Sequence, residues 1–429
     1  MKGLILLPIT LCVFFCFCTK AQSVVKIPQD ATTLSAAVQL AQSGDTILLA
    51  QGIYTDSVHI SSKSLIFKGD PNGGSVLSPG ANEKSFVLHG ANIEFIFLEF
   101  DDFQQNTPRP NIAISSNYSN VKIDQCRFNN LYSPVSLYWG NFEISNSIFS
   151  GTRGSGVIHQ NGGTFLMYNN LIYGGIDKTG IVINRAHGEF FNNTLVGSSP
   201  TQFRGLIINS DSISHIYNNI INGFGIGIHL NASDSIEFAA LRIYNNNIYS
   251  VITPYWYEYN ENLSLPIYSG FLNPNPGTGE ISSPANFIDS TGGDFKIQPG
   301  SPCIDAGINA YPFSVGFDLG GSNRIIGTNP DIGAYEYSVV TAIENRGYTE
   351  ENKVIKIYPQ PTRDHVWISF KDSYFGTLEV LDISGKVLRR KLINDAVMFK
   401  VDLPEQSGLY FLRMINKDGI EIRQVLKQD

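Results

Sequence analysis

Between Val121 and Tyr249 the chain writes one short pattern six times: apolar, polar, Asn, polar, apolar, then a break rich in Gly or Asn. The copies open at Ile123, Ile144, Met167, Phe190, Ile216 and Ile243. Their third positions are Gln125, Asn146, Asn169, Asn192, Asn218 and Asn245, 21 to 27 residues apart. A period that short, rich in strand formers and without helix signals, is one coil of a solenoid, in which repeats bury their apolar faces only by stacking on one another. Asn at a fixed place in every coil has a structural use. Its amide can donate and accept between stacked coils, and it tolerates the left-handed backbone of a sharp corner.

A second set of strands lies between these copies. It reads Pro134–Tyr138, Gly156–Gln160, Gly180–Asn184, Gly205–Asn209 and Gly225–His229, each opening at Gly or Pro and closing on a polar residue. Alternation turns Val135, Val157, Ile181, Leu206 and Ile226 inward. It places Tyr138, Gln160, Asn184, Asn209 and His229 in one outward column, with Trp139 and Arg185 beside it. His159 then points inward unless that coil slips by one residue. Sugars stack on aromatic faces and exchange hydrogen bonds with amides and Arg, so Tyr138, Gln160, Asn184, Arg185, Asn209 and His229 form the candidate substrate-binding row. The other reading of this row is a solvated polar face.

Ahead of the repeats, Leu34, Ala37, Val38 and Ala41 fall at helical spacing behind Thr32 and Thr33, either of which can cap a helix. A helix there covers the open end of the solenoid. Strand-like runs follow at 46–50, 52–54, 58–60 and 64–67. The stretch Ala41-Gln42-Ser43-Gly44-Asp45-Thr46-Ile47 with Gly52-Ile53-Tyr54 resembles the first segment of proteins of the pectin-lyase-like superfamily, and the Asn-bearing repeats resemble their coils. The resemblance covers about residues 24–340. It implies an all-β fold, a right-handed parallel β-helix with an N-terminal capping helix, over residues 22–337. Roughly ten coils are expected between 45 and 310. After Ser250 the aromatic run Tyr255-Trp256-Tyr257-Glu258-Tyr259 interrupts the pattern and reads as a loop or irregular coil, either a sugar-stacking platform or packing.

Residues 285–337 resemble the closing module of secreted bacterial β-helix proteins. Asp305, Asp318 and Asp331, with Glu336 and Arg324, either fix turn amides and one another at the solenoid's end or hold Ca²⁺, which takes six to eight oxygens. Their spacing matches no known ion loop. Residues 338–353 read as a linker. From Val354 short amphipathic strands suit a small C-terminal β-sandwich. Tyr358-Pro359-Gln360-Pro361-Thr362, Asp382-Ile383-Ser384-Gly385-Lys386, Ser407-Gly408-Leu409-Tyr410 and the basic end at Lys427 resemble the C-terminal sorting domain of the type IX secretion system of Bacteroidetes. That family usually has Asn where Gln360 stands. The resemblance implies that residues 354–429 engage the secretion machinery.

Residues 1–21 carry a short basic start, an apolar run from Leu4 to Cys18 and a small residue before the break, which reads as a secretory signal. The mature chain then has no transmembrane segment and is secreted or held on the outer cell surface. Net charge is −8. Residues 354–429 contribute +2 and the rest −10, so a nucleic-acid partner is not expected. Cys126 and Cys303 remain after the signal and read as small core residues.

Within the superfamily, secreted polygalacturonases carry Asn-x-Asp, Asp-Asp, Gly-His-Gly and Arg-x-Lys in order. Here Asp101-Asp102 precedes every Asn-x-Asp, no Gly-His-Gly exists, and the only Arg-x-Lys is Arg389-Arg390-Lys391 in the tail. Hydrolysis of that type is disfavoured. A polysaccharide lyase needs only a base beside a uronate and a group that neutralises its carboxylate. Two readings stay open: a polysaccharide-engaging enzyme of the lyase kind, or a non-catalytic glycan-binding, adhesive or structural surface protein.

Overall fold

The computed structural model describes residues 23–78, 84–102, 112–338 and 354–428, apart from gaps at 153, 155–156, 175–178, 200, 202, 210–213, 233–241, 260–267, 272–278, 310–314, 359–361, 383–385, 405 and 417–418. The proposed signal and nearly all of the linker lie outside these residues. The chain divides into two units, Met1–Val339 and Val340–Asp429.

The first unit is a parallel β-helix. Its coils stack three strand faces in parallel register. Face A runs from Val58–Ser61 to Thr253–Tyr259, face B from Val24–Ile27 to Arg242–Tyr244, and face C from Gly52–Tyr54 to Asn247–Tyr249. Face C holds nine strands. Among the described residues, those beyond Ile281 add no further strand to it, so the stack is shorter than the ten coils expected. Inside, side chains repeat at the coil rise. Phe100, Phe128 and Phe149 stack with ring centres 4.7 and 4.5 Å apart, and Val135, Ile158, Ile181, Leu206 and Ile228 line up in register. The capping helix is present over Leu34–Leu40. Thr33 accepts from the Ala36 amide, and Leu34 and Ala37 join the solenoid core.

Two corrections concern register. Ile158, not Val157, pairs with Val135 and Ile181, so that coil starts one residue later than its glycine suggested. Ile228, not Ile226, pairs with Leu206, a displacement of two. The aromatic run is also regular. Thr253–Tyr259 is a face A strand paired with Ile226–Ala232, and Tyr268–Phe271 adds to it antiparallel.

The corner between faces B and C carries the Asn motif in two adjacent columns. Every third position, from Gln125 to Asn245, has φ between 49° and 56°. The fourth positions Asn170, Asn193, Asn219 and Asn246 point inward and form a buried ladder. The Asn193 amide oxygen accepts from the backbone and side-chain nitrogens of Asn170, at 3.0 Å each, and Asn219 and Asn246 repeat this one and two coils on. The ladder ends on Glu280, whose Oε1 takes the Asn246 backbone and side-chain N–H groups that a further coil would have satisfied. The side-chain amides of this ladder are thereby paired from coil to coil, as buried amides require.

The closing module runs along the flank, not the end. The third-position Asn side chains donate to its backbone: Asn169 to Phe317 O, Asn192 to Asp331 O, Asn218 to Ile308 O and Asn245 to Ala306 O. Ile220 packs with Ala285, Ile297, Cys303 and Ile332.

The second unit is a five-stranded antiparallel sheet. The long strands His365–Leu381 and Val387–Asp402 pair with bulges near Tyr374, and the sheet closes around Val366, Ile368, Leu378, Val380, Leu412 and Val425. Glu379 is buried and clasped by Arg390 and Arg413.

Candidate functional site

Face A turns into face B through left-handed residues: Ser62, Gly90, Tyr118, Trp139, the pair Gly162 and Gly163, and Arg185. The last outward residue of face A precedes each turn. In register these are Ser61, His89, Asn117, Tyr138, Asn161, Asn184, Asn209 and Asn231. The result is a ledge along the coil axis. From His89 to Asn231 it spans about 29 Å at ~4.8 Å per coil.

The two ends of the ledge differ chemically. Tyr118, Tyr138 and Trp139 are 62%, 44% and 45% exposed, and His89 meets the edge of the Tyr118 ring. The Trp139 ring lies across Gly162, where a Cβ would come within 2.4 Å of it, and Gly162 has φ of 81°. Gly is required there because the corner needs both the left-handed backbone and the space under the ring. Further along, the column becomes amides. Asn209 donates to the Asn184 side chain at 2.6 Å, and Arg185 is exposed beside them.

Of the six proposed residues, the ledge brings together Tyr138, Asn184, Arg185 and Asn209. Gln160 and His229 are not part of it. Gln160 points into the core, fully buried, and donates to the Thr164 carbonyl. Asn161 takes its outward place. His229 is 4% exposed and sits between Ile207 and Trp256 in the middle row of face A. Asn231, two residues on, occupies the ledge. The same one-residue slip turns His159 outward, opposite Ser136 and Val182. Burial lowers the His159 pKa from its ordinary value and keeps the imidazole neutral at neutral pH.

Face A has a second property that no local motif announced. From Val58–Ser61 to Ile226–Ala232, no residue its strands contribute is Asp or Glu. Those strands carry His59, Lys84, His89, His159, Arg204 and His229. The rest of the solenoid supplies the acidic balance.

The closing-module carboxylates serve the chain itself. Asp305 accepts from the Thr328 and Asn329 amides. Asp318 accepts from Ser322 and Glu336, and Asp331 from Asp305 and Tyr337. Arg324 is buried against Glu336 at 2.6 Å. Burial pushes Glu336 up to about 8 and raises Asp318 and Asp331, while Arg324 pulls all three the other way. Among the described residues, no group of three or more His, Cys, Asp or Glu side chains is placed to hold a metal ion. Cys126 and Cys303 are buried and unbridged.

Residues 356–428 match the secretion system C-terminal sorting domain. The chain is a parallel β-helix protein with a type IX secretion C-terminal sorting domain. The sorting domain directs export, to the cell surface or beyond it. Among the described residues no helix is long and apolar enough to cross a membrane. A crystal structure of pectate lyase Pel9A is similar over 74% of this chain and 97% of that chain, at 10% identity and a TM-score of 0.39. Comparison with curated proteins finds no match.

Proposed function

We propose that this exported protein holds an acidic polysaccharide along face A and its ledge. The observation that carries the reading is the charge of the face. On a solenoid whose sequence is acidic, the strands of face A from Val58–Ser61 to Ile226–Ala232 contribute cations and imidazoles and no carboxylate, the first acid of the face being Glu258 in its last parallel strand, and this favours approach of a polyanion. Arg185 offers a planar fork matched to a carboxylate, and Tyr118, Tyr138 and Trp139 offer rings on which sugars stack. A long row of equivalent positions suits a long polymer better than a small ligand.

A lyase is favoured over a passive binder by His159. A neutral imidazole in the middle of the face can take the proton beside a uronate carboxylate, while an arginine neutralises that carboxylate. The alternative is a glycan-binding, adhesive or structural surface protein without catalysis.

The test is a panel of acidic and neutral polysaccharides, read for binding and for absorbance of the unsaturated product. Acidic polymers should bind more tightly than neutral ones at face A and lose affinity as salt rises. Product should form with the wild type and not with His159→Gln. Binding without product leaves the non-catalytic reading, and no preference for acidic polymers removes the face A assignment. Export is tested separately: deleting residues 354–429 should strand a folded solenoid in the periplasm, and normal surface display would contradict a sorting role.

A further inference from the structure

Past the corner, face B opens into a groove of about 550 Å³ along the first coils. One wall is a polar row advancing one residue per coil: Ser64, Asn92, Asn120, Asn141 and Thr164. These side chains are bonded in series. Asn92 donates to Ser64 at 3.1 Å, Asn120 to Asn92 at 2.6 Å, Asn141 to Asn120 at 2.9 Å, and Thr164 to Asn141 at 2.5 Å. An amide nitrogen has two protons, and the series uses one from each Asn. Because Asn92, Asn120 and Asn141 are exposed, the groove is offered a file of N–H donors at the coil rise.

The other wall is charged, and its ammonium is paired within it. Lys122 lies 3.9 Å from Glu94 and 3.4 Å from Glu143, and Tyr168 donates to Glu143 at 3.2 Å. Two carboxylates against one ammonium leave the groove with one net negative charge, the opposite of face A. Ile66 and Leu166 add apolar surface.

We propose that this groove is a second carbohydrate site, for an uncharged glycan, separate from face A. Its charge turns uronates away, and the Lys122 ammonium is already held by two carboxylates. Hydroxyl groups suit it: they accept from the spare amide protons and donate to Glu94 and Glu143. The spacing selects a sugar chain over a peptide. An extended β-linked pyranose chain advances by close to one coil rise per sugar, whereas an extended peptide advances only ~3.3 Å per residue and falls out of step with ~4.8 Å coils.

The experiment is calorimetric titration of the full chain with neutral β-linked hexasaccharides of glucose, xylose or mannose, and with an acidic hexasaccharide. At least one neutral hexamer should bind the wild type, and its disaccharide should bind at least tenfold more weakly because it spans fewer coils. The exposed pair Asn120→Ala with Asn141→Ala should weaken that hexamer at least tenfold and leave the acidic one unchanged. Leu166→Trp, which fills the groove, should do the same without touching the amide row. Trp139→Ala, on the ledge, should leave the neutral hexamer unaffected. The proposal is overturned if no neutral hexamer binds, if binding survives both groove variants, if Trp139→Ala abolishes it, or if an uncharged extended peptide competes as well as the sugar. The acidic hexamer reports on face A in the same titration, so the two assignments fail independently.

Discussion

Two corners of the same coil can be set side by side. Between faces A and B the left-handed residues are Ser62, Gly90, Tyr118, Trp139, the pair Gly162 and Gly163, and Arg185; between faces B and C they are Phe97, Gln125, Asn146, Asn169, Asn192, Asn218 and Asn245. Both corners need positive φ in coil after coil. The second answers almost uniformly with Asn, stitches coil to coil beneath it, and from Asn169 to Asn245 is bonded to the backbone of the closing module. The first answers with a different residue in nearly every coil and stays open. Where a side chain serves the backbone and its coil neighbours, the requirement is the same at each repeat and the residue recurs. Where it faces solvent, nothing in the stack fixes its identity, so variety there is free to serve a ligand.

Disrupting the second corner should have the largest effect. Asn193→Leu removes donors to the Met167 and Phe191 carbonyls and the acceptor for Asn170. Several buried polar groups lose partners at about 1–3 kcal/mol each, so at least about 3 kcal/mol of stability should disappear in chemical denaturation. Asn192→Leu should cost less, about 1–3 kcal/mol. It puts Leu at a φ of 52° and breaks the bond to Asp331 O, so limited proteolysis should cut first within residues 285–337. A melt unchanged from wild type in either variant would erase the distinction between the corners.

The closing module should also respond to pH. Burial raises Glu336 to about 8 from 4.5, and Asp318 and Asp331 move the same way. A folded pKa above the unfolded one means that the folded state holds more protons between the two values. Stability is then fully present below the unfolded pKa and declines as pH rises toward 8. The melting temperature should be higher at pH 5.5 than at pH 8.5, and Glu336→Gln should flatten the difference. At the open corner the stability effect should be smallest. Trp139→Ala removes an exposed ring over a glycine and should shift stability by no more than about 0.5 kcal/mol.

The coils were legible because their demands recur. The Asn motif and the capping helix followed from local pattern, with the cap open between Thr32 and Thr33, and the sorting domain followed from a resemblance carried by short motifs. The task of the third-position Asn was only half legible. Its left-handed backbone was expected, but its bonds to the closing module join residues 61 to 155 positions apart, which no period reveals. The buried ladder one position later was missed because the earlier coils place Cys126 and Ser147 where Asn170 stands. Gln160 and His229 were misplaced for a different reason. Coil lengths vary, the slack falls in the turns, and packing of Ile158 and Ile228 against their neighbours sets the register, not the glycine that opens the strand. Asn161, Asn231 and the acid-free stretch of face A up to Ala232 could have been found by aligning those inward apolar residues first.

The most direct test of the open corner's role is the affinity of one acidic and one neutral polysaccharide for the wild type and for Arg185→Ala. If this corner and face A serve a polyanion, the variant should lose at least about tenfold in affinity for the acidic polymer, about 1.4 kcal/mol, and little for the neutral one, with an unchanged melt. Equal affinity of wild type and variant for the acidic polymer would contradict the account.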